Sequence, residues 1–285
     1  MKAVDLLRML ALAALWGGSF VFMRVLTPAL GVVAAADARL LAAGVVMVAW
    51  LAATGFDTQL RRHWRLYLAM GMVSSALPFM LYSYAALHIP ASLSSILNST
   101  SPLFGAIVSA LWLGDRLRGR QWFGILLGMA GVSLIANPAA IGAVDASVIP
   151  AVFAGLLAAA CYGYAAVFTR RYAQGTRPAA ISAWSQLLAG VALLPLLPLS
   201  PPPGEVTPSI AALTVLYAVL CSAFAYQLYF RLIADVGATR ALMVNFMSPV
   251  FGVLLGVVLL GETVGLLMAA GGVLILAGLS LVLRR

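Results

Sequence analysis

"NSTSPLFG", residues 98–105, sets an Asn, a Thr, two Ser and a Pro in five consecutive positions of an apolar run, and 147 residues later "NFMSPVFG", residues 245–252, repeats its frame. The surroundings are 64% hydrophobic and 9% charged, with a mean hydropathy of +1.06. Apolar runs of about 20 residues recur along the chain, the mark of a polytopic membrane protein. Ten spans are expected, over residues 6–24, 32–53, 65–87, 91–113, 121–137, 148–169, 179–199, 209–233, 238–260 and 264–283. The loops between them are short, so any chemistry lies within the bilayer or at its surfaces.

The formal net charge of +9 could suggest a nucleic-acid partner, but its placement points to topology instead. Lys2, Arg8, Arg61, Arg62, Arg65, Arg116, Arg118, Arg120, Arg170, Arg171, Arg177, Arg231, Arg240, Arg284 and Arg285 fall on one side of the alternating spans. The other side holds Arg24, and Arg39 lies within the second span. The positive-inside rule then makes both termini cytoplasmic. The charged start from Lys2 to Arg8, followed by an apolar run, has the look of a signal peptide, yet "ALA" at 11–13 comes too early for cleavage. An uncleaved first helix is expected. Cys161 and Cys221 sit in apolar runs without metal-ligand spacing and read as small hydrophobes.

The two copies extend beyond the opening stretch. At the 147-residue offset Ser75, Ala76, Leu81 and Tyr82 fall on Ser222, Ala223, Leu228 and Tyr229. Gly124, Leu127, Ala130 and Gly131 fall on Gly271, Leu274, Ala277 and Gly278, and Asp115 falls on Glu262. The chain thus divides into repeats over 1–138 and 148–285. Five spans per copy is odd, so the second copy would enter the membrane from the opposite side, with Asp115 cytoplasmic and Glu262 external. Such inverted repeats underlie many secondary transporters, because two half-molecules can exchange conformations around a central site.

Spacings of four, three and four place Ser94, Asn98, Ser101 and Gly105 on one helical face, and Ala241, Asn245, Ser248 and Gly252 on the matching face. Pro102 and Pro249 lack an N–H and free the carbonyls of residues 98 and 245, so they are expected to be hinges in a pair of bent helices lining a cavity. The competing reading is that the Ser residues bond a neighbouring helix and the Pro residues set a packing kink. For Ser101 and Ser248 the two stand level; for Asn98 and Asn245 the cavity is favoured, because an amide is costly in hydrocarbon. Trp16 corresponds to Tyr162, Phe79 to Tyr226 and Tyr82 to Tyr229, rings that could hold a planar or apolar ligand while the amides orient its polar end. The rival for each ring is the interfacial aromatic belt. Ser75, Phe79 and Tyr82 are expected on one face of the third helix. Trp184 and Gln186 on the seventh helix are further candidates, opposite Asp37 and Arg39 in the repeat. Asp37 and Arg39 themselves read as a local pair, or as side chains reaching the headgroups.

In "ALWGGSFVFMR", "SPLFGAIVSALWLGDRL", "SPVFGVLLGVVLLGET" and the glycine-rich fifth and tenth spans, the chain resembles the drug/metabolite transporter superfamily in its ten-helix EamA type. Within that family it is most similar to the YddG-type aromatic amino acid exporters. The resemblance covers essentially the whole chain. It implies an all-α membrane fold of two inverted five-helix repeats, a place in the bacterial inner membrane, and export of amino acids and related metabolites by alternating access. Lys2 is the only Lys, which removes the lysine cluster suited to phosphate carriage. The first helix lacks the buried Glu of small multidrug relatives. Large neutral or aromatic amino acids fit best, with other small metabolites or drugs as the alternative. An enzyme would need a nucleophile, base or metal constellation, and neither HExxH nor a clear dyad is present. A channel would call for a continuous conduction path, whereas the repeat favours alternating access, and a scaffold or receptor would not explain the twinned polar stripes. No cofactor and no metal are expected. "GILLG" at 124–128 and "GVLLG" at 252–256 suit close packing within the fold more than a dimer contact, so a monomer is expected.

Overall fold

A computed structural model describes residues 3–135, 147–237, 241 and 243–283. Lys2, Arg240, Arg284 and Arg285, the repeat position Ala238, the end of the fifth expected span at 136–137 and the start of the ninth at 238–240 lie outside them. The described residues form helices and contain no strand. In chain order they are α1 (Ala3–Leu30), α2 (Val32–Ala53), α3 (Leu60–His88), α4 (Ala91–Leu113), α5 (Gly119–Ile135), α6 (Val148–Tyr172), α7 (Pro178–Leu199), α8 (Pro208–Val236), α9 (Val244–Leu260) and α10 (Leu266–Leu283). Eight of these are long and apolar enough to cross a membrane, and α9 is a shorter apolar helix. Leu111 and Leu266 are each 84% exposed. Large apolar side chains turned outward suit lipid tails rather than water.

Helix ends follow local chemistry. Gly114 and Gly261 close α4 and α9 in the left-handed region, at φ 73° and 66°, where a Cβ would be strained. Thr207 caps α8 by accepting from the Ile210 N–H at 3.3 Å, with Pro208 at the first helical position, where its missing N–H is harmless. Pro195 and Pro198 tighten the last turns of α7 into a 3₁₀ helix over Leu194–Leu199. Two helices widen instead. A π-helical turn occupies Met72–Ala76 in α3 and another occupies Val219–Phe224 in α8, positions one repeat offset apart.

Glycine sets the closest crossings. A Cβ on Gly124 would sit 2.6 Å from the Gly278 carbonyl oxygen, and one on Gly131 would sit 2.6 Å from that of Gly271. The α5–α10 contact is therefore reciprocal, since each glycine meets the counterpart of the other. Close approach of this kind is how helices gain packing where lipid offers no hydrophobic drive.

At one end of the bundle Arg8 bridges α1 to Asp235 of α8 at 2.6 Å, and Arg170 of α6 bridges Asp115 after α4 at 2.6 Å. The hydrogen bonds from Arg170 and Ser109 hold the Asp115 carboxyl below the usual carboxylate range. A depressed pKa contributes stability above the unfolded value of about 3.9, and that contribution is lost as pH falls through the lowered one. Asp115→Asn is expected to lower the thermal midpoint slightly at pH 7, the gap to wild type closing in acid; a gap that persists there contradicts the assignment. At the other end the corresponding Glu262 has a different role. Its carboxylate accepts the Ala91 N–H at 2.6 Å and the Ser92 N–H at 2.9 Å, latching the end of α9 onto the positive N-terminus of α4. Arg24 donates to the Ala86 carbonyl oxygen of α3.

Candidate functional site

The opening stretch is where α4 breaks. Its helix runs Ala91–Asn98, turns through Ser99 and Thr100, and resumes over Ser101–Leu113 with Pro102 at the new start. Three successive hydroxyls serve the break: Ser99, Thr100 and Ser101 donate to the carbonyls of Ile96, Leu97 and Asn98, each at 2.6 Å. Orphaned carbonyls at membrane depth must find partners, and this run of side chains supplies them. In the second copy Phe246 and Met247 replace Ser99 and Thr100. There α9 continues unbroken through Pro249. The expected pair of bent helices is thus one broken helix and one continuous one.

Beside the break the Tyr82 hydroxyl donates to Asn98 Oδ1 at 3.2 Å. The Tyr82 ring lies edge-on to Phe20 at 5.1 Å and stacks toward Tyr162 at 6.3 Å. Phe20 of α1, Tyr82 of α3, Asn98 of α4 and Tyr162 of α6 therefore make one cluster of rings and an amide. Ser101 joins it through Asn98. Ser75 is buried within the π turn, and Phe79 carries the Arg39 guanidinium over its ring, 3.8 Å from the centroid.

Arg39 does not pair with Asp37. Residues two apart on a helix point to opposite sides, and the structure sends the two side chains separate ways. The guanidinium reaches across to α8, where Nε donates to Ser222 Oγ at 3.1 Å, Nη1 donates to the Tyr217 hydroxyl, and Cζ stands 4.4 Å from the Tyr217 ring centroid. Tyr217 also accepts from Ser19 Oγ at 3.3 Å and stacks on Phe22 at 5.2 Å. Arg39 is 6% exposed and Asp37 3%, so neither reaches the headgroups. Asp37 Oδ1 is buried without a hydrogen-bond partner.

A second aromatic group holds Trp16, 6.2 Å from Tyr226 and 5.3 Å from Tyr229. A pocket of about 270 Å³ lies between α1, α8 and α9, walled by Gly18, Phe22, Cys221 and Leu255 among others. On α9, Asn245 is half-buried and its amide makes no hydrogen bond among the described residues, whereas the Ser248 hydroxyl is buried and unpartnered. The Ser248 carbonyl accepts from Ser95 Oγ at 3.5 Å. Trp184 and Gln186 fall outside both groups. Trp184 packs with Tyr67 and Ile181 and lines a cleft with Asp57 and Arg62; Gln186 bonds the Ser182 carbonyl at 3.3 Å and Met47 Sδ at 3.4 Å.

The pattern of the EamA-like transporter family matches this chain twice, over residues 5–137 and 149–284. The chain belongs to the EamA-like transporter family. A "Probable terminal-alkyne amino-acid exporter" of Streptantibioticus cattleyicolor is 25% identical over 272 residues, spanning 95% of this chain and 90% of that one. The "Uncharacterized inner membrane transporter YedA" of Escherichia coli K12 is 27% identical over 258 residues, spanning 89% and 82%. A solved crystal structure with 21% identity superposes with a TM-score of 0.68 over 99% of this chain and 96% of that one, a likeness of fold.

This EamA-like transporter is accordingly a multi-pass membrane protein that carries a small molecule across lipid. Among the residues expected from the repeat, Trp16 groups with Tyr226 and Tyr229, and Tyr82 with Tyr162 and Asn98, whereas the partners of Arg39 were not expected. Phe79, Tyr217 and Ser222 surround Arg39, and the overlooked signal was spacing: Arg39 has no acidic residue three or four positions away on its helix.

Proposed function

We propose that this transporter exports amino acids with large neutral or aromatic side chains by alternating access, through ten spans forming two inverted repeats, with both termini cytoplasmic in the inner membrane. The observation that carries the reading is the cluster of Phe20, Tyr82 and Tyr162 around the Asn98 amide, with Trp16, Tyr226 and Tyr229, at the repeat-related positions of Tyr162, Phe79 and Tyr82, forming a second group. Rings offer area to an apolar side chain, and amides and hydroxyls fix the polar end. The twofold family match, the paired π turns and the reciprocal glycines support the repeat. The amino-acid exporter among the relatives favours the substrate class, and the aromatic lining favours its larger members.

Glu262 ties the end of α9 to the first turn of α4, and at the opposite end the matching Asp115 is tied to Arg170 of α6; with the charge-rich end placed inside, the Glu262 tie lies on the external side.

Proteoliposomes loaded with labelled Phe, Trp, Tyr, Met or Leu test this, with and without a pH gradient. Saturable efflux is expected, accelerated by unlabelled substrate on the opposite side. Asn98→Ala and Asn245→Ala should each reduce it roughly 10-fold, the size of one lost polar contact to a bound group. No accelerated flux for any of the five refutes the substrate class.

A further inference from the structure

We propose that Arg39 is the anion anchor of the transport site, binding the carboxylate of the cargo between Phe79, Tyr217 and Ser222. The inference rests on the amino-acid reading for its cargo but not for its anion chemistry.

Three observations carry it. First, the cation is buried at 6% exposure in a membrane helix and forms no ion pair among the described residues. A charge removed from water and left without a counter-charge is expensive, and intramembrane ionisable groups that persist mark pathways for charged cargo. Second, its donors are only partly used. Nε is held by Ser222 and Nη1 by Tyr217, while Nη2 makes no hydrogen bond among the described residues. A guanidinium has five N–H donors in a fork that matches a carboxylate, and the two anchored nitrogens fix the direction in which the free one points. Third, the surroundings suit an acid with an apolar tail. The rings of Phe79 and Tyr217 flank the charge at 3.8 and 4.4 Å, and the Ser19, Tyr217 and Ser222 hydroxyls stand ready to reorient toward an anion. A carboxylate on Arg39 would leave the cargo's side chain among those rings.

A packing role predicts something else: a residue that only ties α2 to α3 and α8 would affect every cargo alike when removed. The test therefore compares each acid with its decarboxylated partner, L-phenylalanine with phenylethylamine and L-leucine with isoamylamine, in the same zwitterionic phosphatidylcholine vesicles, which carry no net charge. Arg39→Gln should cut acid flux by roughly 10- to 100-fold, the loss expected for hydrogen bonds to a charged group, and change amine flux less than about 3-fold. Arg39→Lys should recover part of the acid flux, since it restores the charge without the fork. Ser222→Ala, which removes only the Nε partner, covers the case of an Arg39 variant that misfolds; it should weaken acid flux several-fold and spare the amine. Equal losses for acid and amine overturn the proposal. A separate readout is the thermal midpoint of purified protein in 3-phenylpropionate, an acid without an ammonium group. Wild type should rise and Arg39→Gln should not. If wild type moves no amino acid, the substrate reading fails and this melting comparison alone decides: a rise confined to wild type upholds the anchor, and no rise, or a rise in both, refutes it.

Discussion

Gly163→Ala is expected to destabilise this transporter severely, while Gly105→Ala, on the facing helix, is expected to be near neutral. The two glycines meet where α6 crosses α4, but their missing methyls point differently. A Cβ on Gly163 would fall 2.5 Å from the Gly105 backbone nitrogen, 2.8 Å from the Ser101 carbonyl oxygen and 2.9 Å from the Phe104 carbonyl carbon. All three are main-chain atoms, which cannot rotate away, so the helices must separate. Overpacking of this kind costs about 1–3 kcal/mol or more, and here the upper end applies. A Cβ on Gly105 would meet Gly163 at 3.6 Å, an ordinary contact, and alanine gains about 1 kcal/mol of helix propensity over glycine. Thermal unfolding and the monodisperse fraction in detergent measure both. Similar midpoints for the two variants would show that the crossing is looser than described.

The second large effect is expected at Glu262. Replacing it with Ala removes the only side-chain acceptor at the first N–H groups of α4 among the described residues, bonds of 2.6 and 2.9 Å to a carboxylate. Each charge-assisted bond contributes about 1.5–3 kcal/mol, so a loss near 3 kcal/mol shifts an open–shut equilibrium by roughly 100-fold. Ser94 reports on it, since it lies on the next turn of α4 with a buried, unpartnered hydroxyl. In a background lacking Cys161 and Cys221, maleimide labelling of Ser94→Cys should accelerate at least 10-fold when Glu262→Ala is added. An unchanged rate means that the latch does not hold that end shut.

Much of this arrangement was visible before any coordinates. The expected spans at 32–53 and 91–113 coincide with α2 and α4 because their ends carry local signals: Gly31 at φ 80°, Pro90 before Ala91, and Gly114. The first span runs to Leu30 rather than 24 because Arg24 finds a carbonyl within the protein and does not end the helix. The third begins at Leu60 rather than 65, its arginines exposed along one side of a helix that has already started. The ring positions were legible by copy, one half confirming the choice in the other. Arg39 was not, because its partners Tyr217 and Ser222 are nearly 180 residues away and only tertiary packing unites them. Nor was the turn at Ser99 and Thr100 foreseen, within the expected face of Ser94, Asn98 and Ser101.

The wide turn at Met72–Ala76 has a further consequence. A π turn accommodates one residue more than an α turn, and one residue corresponds to about 100° of rotation. The two parts of α3 are therefore out of phase. Before the turn, Gly71 abuts Ser185 of α7, and Tyr67 and Met70 pack in a cluster with Ala180 and Ile181 of α7 and Ala165 of α6; after it, Tyr82 is directed at Phe20, Asn98 and Tyr162. A helical wheel drawn straight through α3 misplaces one part or the other, and an alanine scan along it should show two separate periodicities that change step between residues 72 and 76.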